Sequence, residues 1–282
     1  KALELKGRLL LSEKKYPEAI RIFDDISRLN PQIGMALKTS ALIAMDESAA
    51  AMEEVKQAIE QHPQSTHLFI LQAAIHQADG DMAAAETVLE QARDKYPEDS
   101  QIQMHLGKLY AKSGDLERAT RVYDNILKAS PGFSPALFAR GVIQEQLGNI
   151  DEAVHSYSKA IRADPENVKA LNNLGYLFVQ KDRKQEGLTL ALRAFRLQPD
   201  NPVIWDTLGY ALVANGKPAQ SLIFLEKAHT RLPDNPSIMY HLAMARAGNG
   251  QSKMAAGLLD QALSLGNFPE INEARQLQEK LT

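Results

Sequence analysis

The chain has 282 residues, 44% of them apolar and 24% charged, enough to bury a large core and keep a charged surface. Its formal net charge of −3 excludes the strongly basic footprint of a nucleic-acid binder. Having no cysteine excludes disulfides, thiolate nucleophiles and Cys-ligated metals, and leaves reducing and oxidising compartments equally open. No stretch approaches the ~20 apolar residues of a membrane helix, and no signal-peptide pattern is present. The chain opens on Lys1 rather than Met. An upstream segment is therefore expected: a signal sequence, an anchor or further repeats.

Prolines recur at Pro31, Pro63, Pro97, Pro131, Pro165, Pro199 and Pro233, spaced by 32 and then five times by 34. With the proline set as position 32, other positions keep the same phase. Position 8 is small: Gly7, Ala73, Gly107, Gly141, Gly175, Gly209 and Ala243. Position 20 is small in Ala19, Ala51, Ala85, Ala119, Ala153 and Ala255, with Gly187 and Ser221 as exceptions. Position 24 is large in Phe23, Val55, Leu89, Tyr123, Tyr157 and Leu225. Alternation of small and large is what two closely packed helices need. Gly80, Gly114, Gly148, Gly216 and Gly250 fall where the first helix of each pair ends, a position that favours the left-handed backbone. Asp81, Asp115 and Asn149 follow as expected starts of the second helix, and each proline stops it.

In chain order the periodicity predicts eight helix pairs, at about 1–33, 34–65, 66–99, 100–133, 134–167, 168–201, 202–235 and 236–269. The second is two residues short, and the missing pair is assigned to the turn near Met45–Ser48. Segment 270–282 places Ile271, Ala274, Leu277 and Leu281 on one face and Glu273, Arg275, Glu279 and Lys280 on the other, as in a helix capping the last repeat. With no linker or change of composition, residues 1–282 are expected to form one solenoid.

These residues resemble the tetratricopeptide repeat family over nearly the whole chain. The clearest copy is Trp205-x2-Leu208-Gly209, closing on Leu232-Pro233-Asp234-Asn235. The resemblance implies an all-α, right-handed superhelical solenoid of antiparallel helix hairpins. The repeats Asp206-Thr207-Leu208-Gly209-Tyr210 and Asn267-Phe268-Pro269-Glu270 are similar to bacterial envelope proteins of exopolysaccharide export and exosortase-linked sorting. That likeness implies a periplasmic or outer-membrane-associated location in preference to a cytoplasmic one, with a signal or lipidation sequence upstream.

No catalytic residue, cofactor or metal site is read from the sequence. The seven histidines make no metal-binding pair, and there is no phosphate loop, dinucleotide fingerprint or serine elbow. Gly248-Asn249-Gly250 and Asp79-Gly80-Asp81 fall on repeat turns.

In the resembled family the first helix of each pair lines the concave surface. The positions that would face a partner here are Met104, His105, Lys108 and Lys112; Phe138, Val142 and Glu145; Lys169, Asn172, Asn173, Tyr176 and Gln180; Asp206, Thr207 and Tyr210; and Tyr240, His241 and Met244. Tyrosine offers contact area with one polar end, and Asn172 and Asn173 can pair with an extended main chain. The same tyrosines could instead pack between helices. The carboxylate clamp of chaperone adaptors is not matched, since Lys169-x3-Asn173 reproduces only one spacing and Met104, Lys108 and Ala139 do not complete it. The asparagine ladder of sugar-transferring relatives is also missing, because position 6 reads Leu71, His105, Ala139, Asn173, Thr207 and His241.

The function expected is a non-enzymatic scaffold holding a peptide or partner protein, with no nucleic acid and no membrane span. The alternatives are the regulatory region of a larger enzyme, such as a glycosyltransferase, and a self-assembling structural solenoid. The oligomeric state is left open.

Overall fold

The computed structural model describes residues 1–281, which contain seventeen α-helices and no strand. The chain forms two compact units, Lys1–Ala129 and Ser130–Thr282. The first holds four hairpins: α1 (Ala2–Ser12) with α2 (Tyr16–Leu29), α3 (Pro31–Ala44) with α4 (Ser48–Gln61), α5 (Thr66–Ala78) with α6 (Met82–Lys95), and α7 (Ser100–Lys112) with α8 (Leu116–Ala129). The second holds α9 (Ser134–Gln146) with α10 (Ile150–Ala163), α11 (Val168–Gln180) with α12 (Lys184–Leu197), α13 (Pro202–Ala214) with α14 (Pro218–Arg231), and α15 (Pro236–Gly248) with α16 (Ser252–Ser264). A final helix, α17 (Ile271–Leu281), lies on α16 and α15. The fold is an all-α solenoid of antiparallel hairpins.

The small and large positions meet inside four of the hairpins. A Cβ built on Gly107 would stand 2.6 Å from the Tyr123 ring, and one on Gly141 would stand 2.5 Å from the Tyr157 ring. Gly7 faces Phe23 and Gly209 faces Leu225 in the same way. In each case the first helix gives up its side chain so that a large residue sixteen positions later can lie against its backbone. The hairpin α11–α12 solves the problem differently. Its position 24 is Ala191, and both Gly175 and Gly187 are buried at the crossing.

Within the second unit, α10 packs on α11, α12 on α13 and α14 on α15, while α11, α13 and α15 also lie side by side. These three first helices thus form a continuous face. Helix α17 covers the end with Ala274 buried and Ile271, Leu277 and Leu281 partly buried, against a cluster that includes Met239, Tyr240, Leu259 and Phe268. The division between the units, after α8, has no mark in the sequence: residues 130–133 match the other four-residue connections between hairpins.

Two local expectations are corrected. The shortening of the second repeat lies at the junction of α2 and α3, not near Met45–Ser48. A single residue, Asn30, joins those helices, and Pro31 opens α3 instead of ending α2. Proline suits the first turn of a helix because its missing N–H is not needed there. The tight junction leaves no room at Gly34, where a Cβ would overlap the Ser27 backbone. The turn at residues 45–47 keeps its ordinary three residues. Its left-handed residue is Asp46 (φ 59°), 34 positions before Gly80. Asp81 caps α6 through Ala84 N (2.9 Å) and Asp115 accepts from Arg118 N (2.9 Å), but Asn149 does not cap α10; its amide donates to Gln144 Oε1 at 2.9 Å.

Two substitutions test this account. Gly107→Leu should cost about 1–3 kcal/mol by overpacking against Tyr123, read from urea unfolding. Lys14, Asp46 and Asp182 hold a left-handed backbone (φ 59–61°) where the other turns use glycine. Asp182→Gly should therefore raise stability by ~0.5–1 kcal/mol, since only glycine enters that region without strain; its exposed ion pair with Lys184 contributes little.

Candidate functional site

Residues four apart share a helix face, so Asn172, Tyr176 and Gln180 line up on α11, Asp206 and Tyr210 on α13, and Ser237, His241 and Met244 on α15. The lateral packing of these three helices joins the rows. Glu270 then enters from outside the repeats, after the chain leaves α16 and turns at Gly266 (φ 102°).

Glu270 is buried, at 4% exposure. Its carboxylate accepts hydrogen bonds from the Tyr176 hydroxyl, 94 residues earlier, and from Ser237 Oγ at 2.8 Å. Gln180 Nε2 donates to the Tyr176 oxygen at 2.8 Å. His241 is fully buried. Its Nδ1 donates to Asp206 Oδ1 at 2.8 Å, and its Nε2 stands 3.6 Å from Glu270 Oε1, an ion-pair distance beyond hydrogen-bond length. The Tyr210 ring stacks on the imidazole with centroids 4.2 Å apart and planes 17° apart, and Tyr176 lies 5.6 Å from Tyr210.

The charges are mutually stabilised. Burial alone lowers the pKa of His241, but the Asp206 and Glu270 carboxylates outweigh it and hold the group up at about 9. Burial likewise raises that of Glu270, but His241, Tyr176 and Ser237 bring it down to about 2. Burial, with Glu270 nearby, raises the phenols of Tyr176, Tyr210 (to about 12) and Tyr240. Both shifts favour the charged forms of His241 and Glu270 near neutral pH. Ser237 donates to Glu270 and not to His241.

A second cluster lies one repeat earlier. The Tyr157 hydroxyl donates to Glu145 Oε2 at 2.7 Å and accepts from Asn173 Nδ2 at 3.1 Å, and Phe138 lies 5.7 Å from the Tyr157 ring. Burial raises the Glu145 carboxyl, partly opposed by the Tyr157 hydrogen bond.

The structure thus distributes the sequence-predicted residues unevenly. Lys108 and Lys169 are exposed, and His105, Phe138, Asn173, Tyr176, Asp206, Tyr210 and Met244 are half-buried. Burial, then Lys108 and His67, lowers His105 to about 4. Met104, Asn172, Thr207, Tyr240 and His241 are buried in this structure. Tight lateral packing of the first helices is the reason: Tyr240 joins the cluster under α17, and His241 is enclosed by Asp206, Tyr210 and Glu270. Sequence reasoning missed Glu270 and Ser237. Ser237 occupies position 2, already an inward position. Glu270 lies one 34-residue period after Pro236, a phase that could have marked it as the start of a further inward helix.

A family model described as the C-terminal domain of cilia and flagella-associated protein 70, a tetratricopeptide domain, matches residues 29–279. The chain belongs to this family. Other tetratricopeptide structures share the fold. The Cut9 and Hcn1 hetero-tetramer of the anaphase-promoting complex matches with a TM-score of 0.71 at 15% identity, over 99% of this chain and 55% of that one. This chain therefore spans about half the length of that relative. A tetratricopeptide protein from Parabacteroides merdae gives 0.57 at 18% identity, over 89% of this chain and 98% of that one. YrrB, a tetratricopeptide protein with a peptide-binding site, gives 0.53 at 21% identity, over 68% and 97%. No curated protein matches.

The tetratricopeptide domain's terminal helix should respond to pH with a defined sign. His241 is raised from 6.5 to about 9, so its contribution is complete below pH ~6.5 and is lost as pH rises toward 9. Glu270 is lowered from 4.5 to about 2, so its contribution is complete above pH ~4.5 and is lost as pH falls toward 2. The groups facing this pair are Asp206, Tyr176, Tyr210, Tyr240 and Glu273. Amide exchange in α17 should be slowest between about pH 4.5 and 6.5 after correction for intrinsic rates. In His241→Gln the alkaline loss should disappear.

Proposed function

We propose that the protein is a non-enzymatic scaffold that binds a peptide segment or partner protein along the first-helix face of its second unit. One observation carries this reading. Successive first helices present half-buried rings, amides and a thioether on one face: Phe138, Asn173 with Tyr176, Tyr210, and Met244, beside the exposed Lys169. Half-buried aromatic groups with polar ends keep area for a partner, and their packing fixes them before binding, which lowers the ordering cost. The peptide-binding site of YrrB, on the same fold, agrees with a peptide ligand.

Site-specific photocrosslinking tests the reading. A benzophenone side chain at Phe138 or Lys169, in native extract, should yield a discrete adduct. The same group at exposed Arg196 on α12 should yield none. Equal labelling from all three positions would mean that the first-helix face has no special role.

A further inference from the structure

The segment between α16 and α17 sits in the second unit as a bound peptide would. Gly266, Asn267 and Pro269 are exposed, whereas Phe268 and Glu270 are buried, at 7% and 4% exposure. The segment turns there, with Ile271 N donating to Phe268 O at 3.2 Å, so Phe268 and Glu270 are buried while Pro269 between them stays exposed. Phe268 enters the apolar cluster of Met239, Tyr240, Ala255 and Leu259. Two residues later, the Glu270 carboxylate reaches the hydroxyls of Tyr176 and Ser237 and the imidazolium of His241.

The fit is incomplete on the receiving side. His241 Nε2 is buried with no hydrogen bond, 3.6 Å from the carboxylate. A buried polar group left unpaired is a standing cost. Glu270 is tied to α17, which begins at the next residue. A carboxylate free of that tether can approach Nε2 more closely.

Resting on the scaffold reading, we propose that Tyr176, Ser237 and His241 form a recognition site for a glutamate side chain of a partner peptide that carries a large apolar residue two positions earlier and turns between them. Glu270 is its internal occupant, which such a peptide replaces. The donors are two hydroxyls and an imidazolium from α11 and α15, unlike the Lys and Asn set of the carboxylate clamp. The internal glutamate competes at high effective concentration, so the partner gains access through contacts elsewhere on the same face.

The test uses the full chain and two peptides, acetyl-Gly-Asn-Phe-Pro-Glu-amide and its Gln counterpart, with binding followed by calorimetry. Glu270→Ala should bind the Glu peptide at least ~10-fold more tightly than the Gln peptide, and more tightly than wild type does. Adding His241→Gln should abolish the preference. Should Glu270→Ala fail to fold, Glu270→Gln retains the side-chain shape and the same preference is read there. Equal binding of the two peptides to a folded variant overturns the carboxylate site while leaving the scaffold intact. Crosslinks from every face would instead overturn the scaffold.

Discussion

Every hairpin depends on how closely its two helices approach. In four of the eight, glycine at position 8 of one helix accepts the ring or branched side chain at position 24 of the other, as Gly107 does for Tyr123 and Gly141 for Tyr157. The constraint is steric and repeats with the chain's period. It fixes the crossing in each pair, and the pairs then stack on the faces left over. Because the large residue lies across the first helix, its far end can reach the opposite face. Tyr157 shows this: its ring fills the hairpin while its hydroxyl meets Glu145 and Asn173. A packing residue thereby supplies polar chemistry to the surface where a partner would lie.

The second dependence is electrostatic and confined to the last three repeats. A fully buried imidazole is costly when charged unless it is paired and hydrogen-bonded. Here Asp206 supplies the hydrogen bond and Glu270 the second charge, while Tyr176 and Ser237 satisfy the Glu270 oxygens. The pieces come from three first helices and one loop. The network therefore ties the end of the array to α11, which apolar contacts under α17 alone would not do.

The fold was readable because it is written repeatedly. The prolines, the turn glycines and the small–large pairs each recur in phase, so errors at one copy are corrected by the others. What could not be read was what occurs once. Pro31 looks like a helix stop in the row of prolines, yet proline is equally at home in the first turn of a helix, and only coordinates separate the two. The tyrosines at 176 and 210 were legible as inward residues, but not whether they face solvent or one another. Glu270 was the hardest, since its partner Tyr176 lies 94 residues away and no local pattern joins them.

The buried charge trio also restricts how this sequence can drift. Replacing His241 alone leaves the buried Glu270 and the half-buried Asp206 without their shared partner, and replacing either carboxylate alone leaves His241 under-compensated. Coordinated replacement by well-packed apolar side chains can be neutral or better. Single-step lineages therefore meet a barrier in either direction. In sister chains Asp206, His241 and Glu270 should be kept together or lost together, with mixed sets rare.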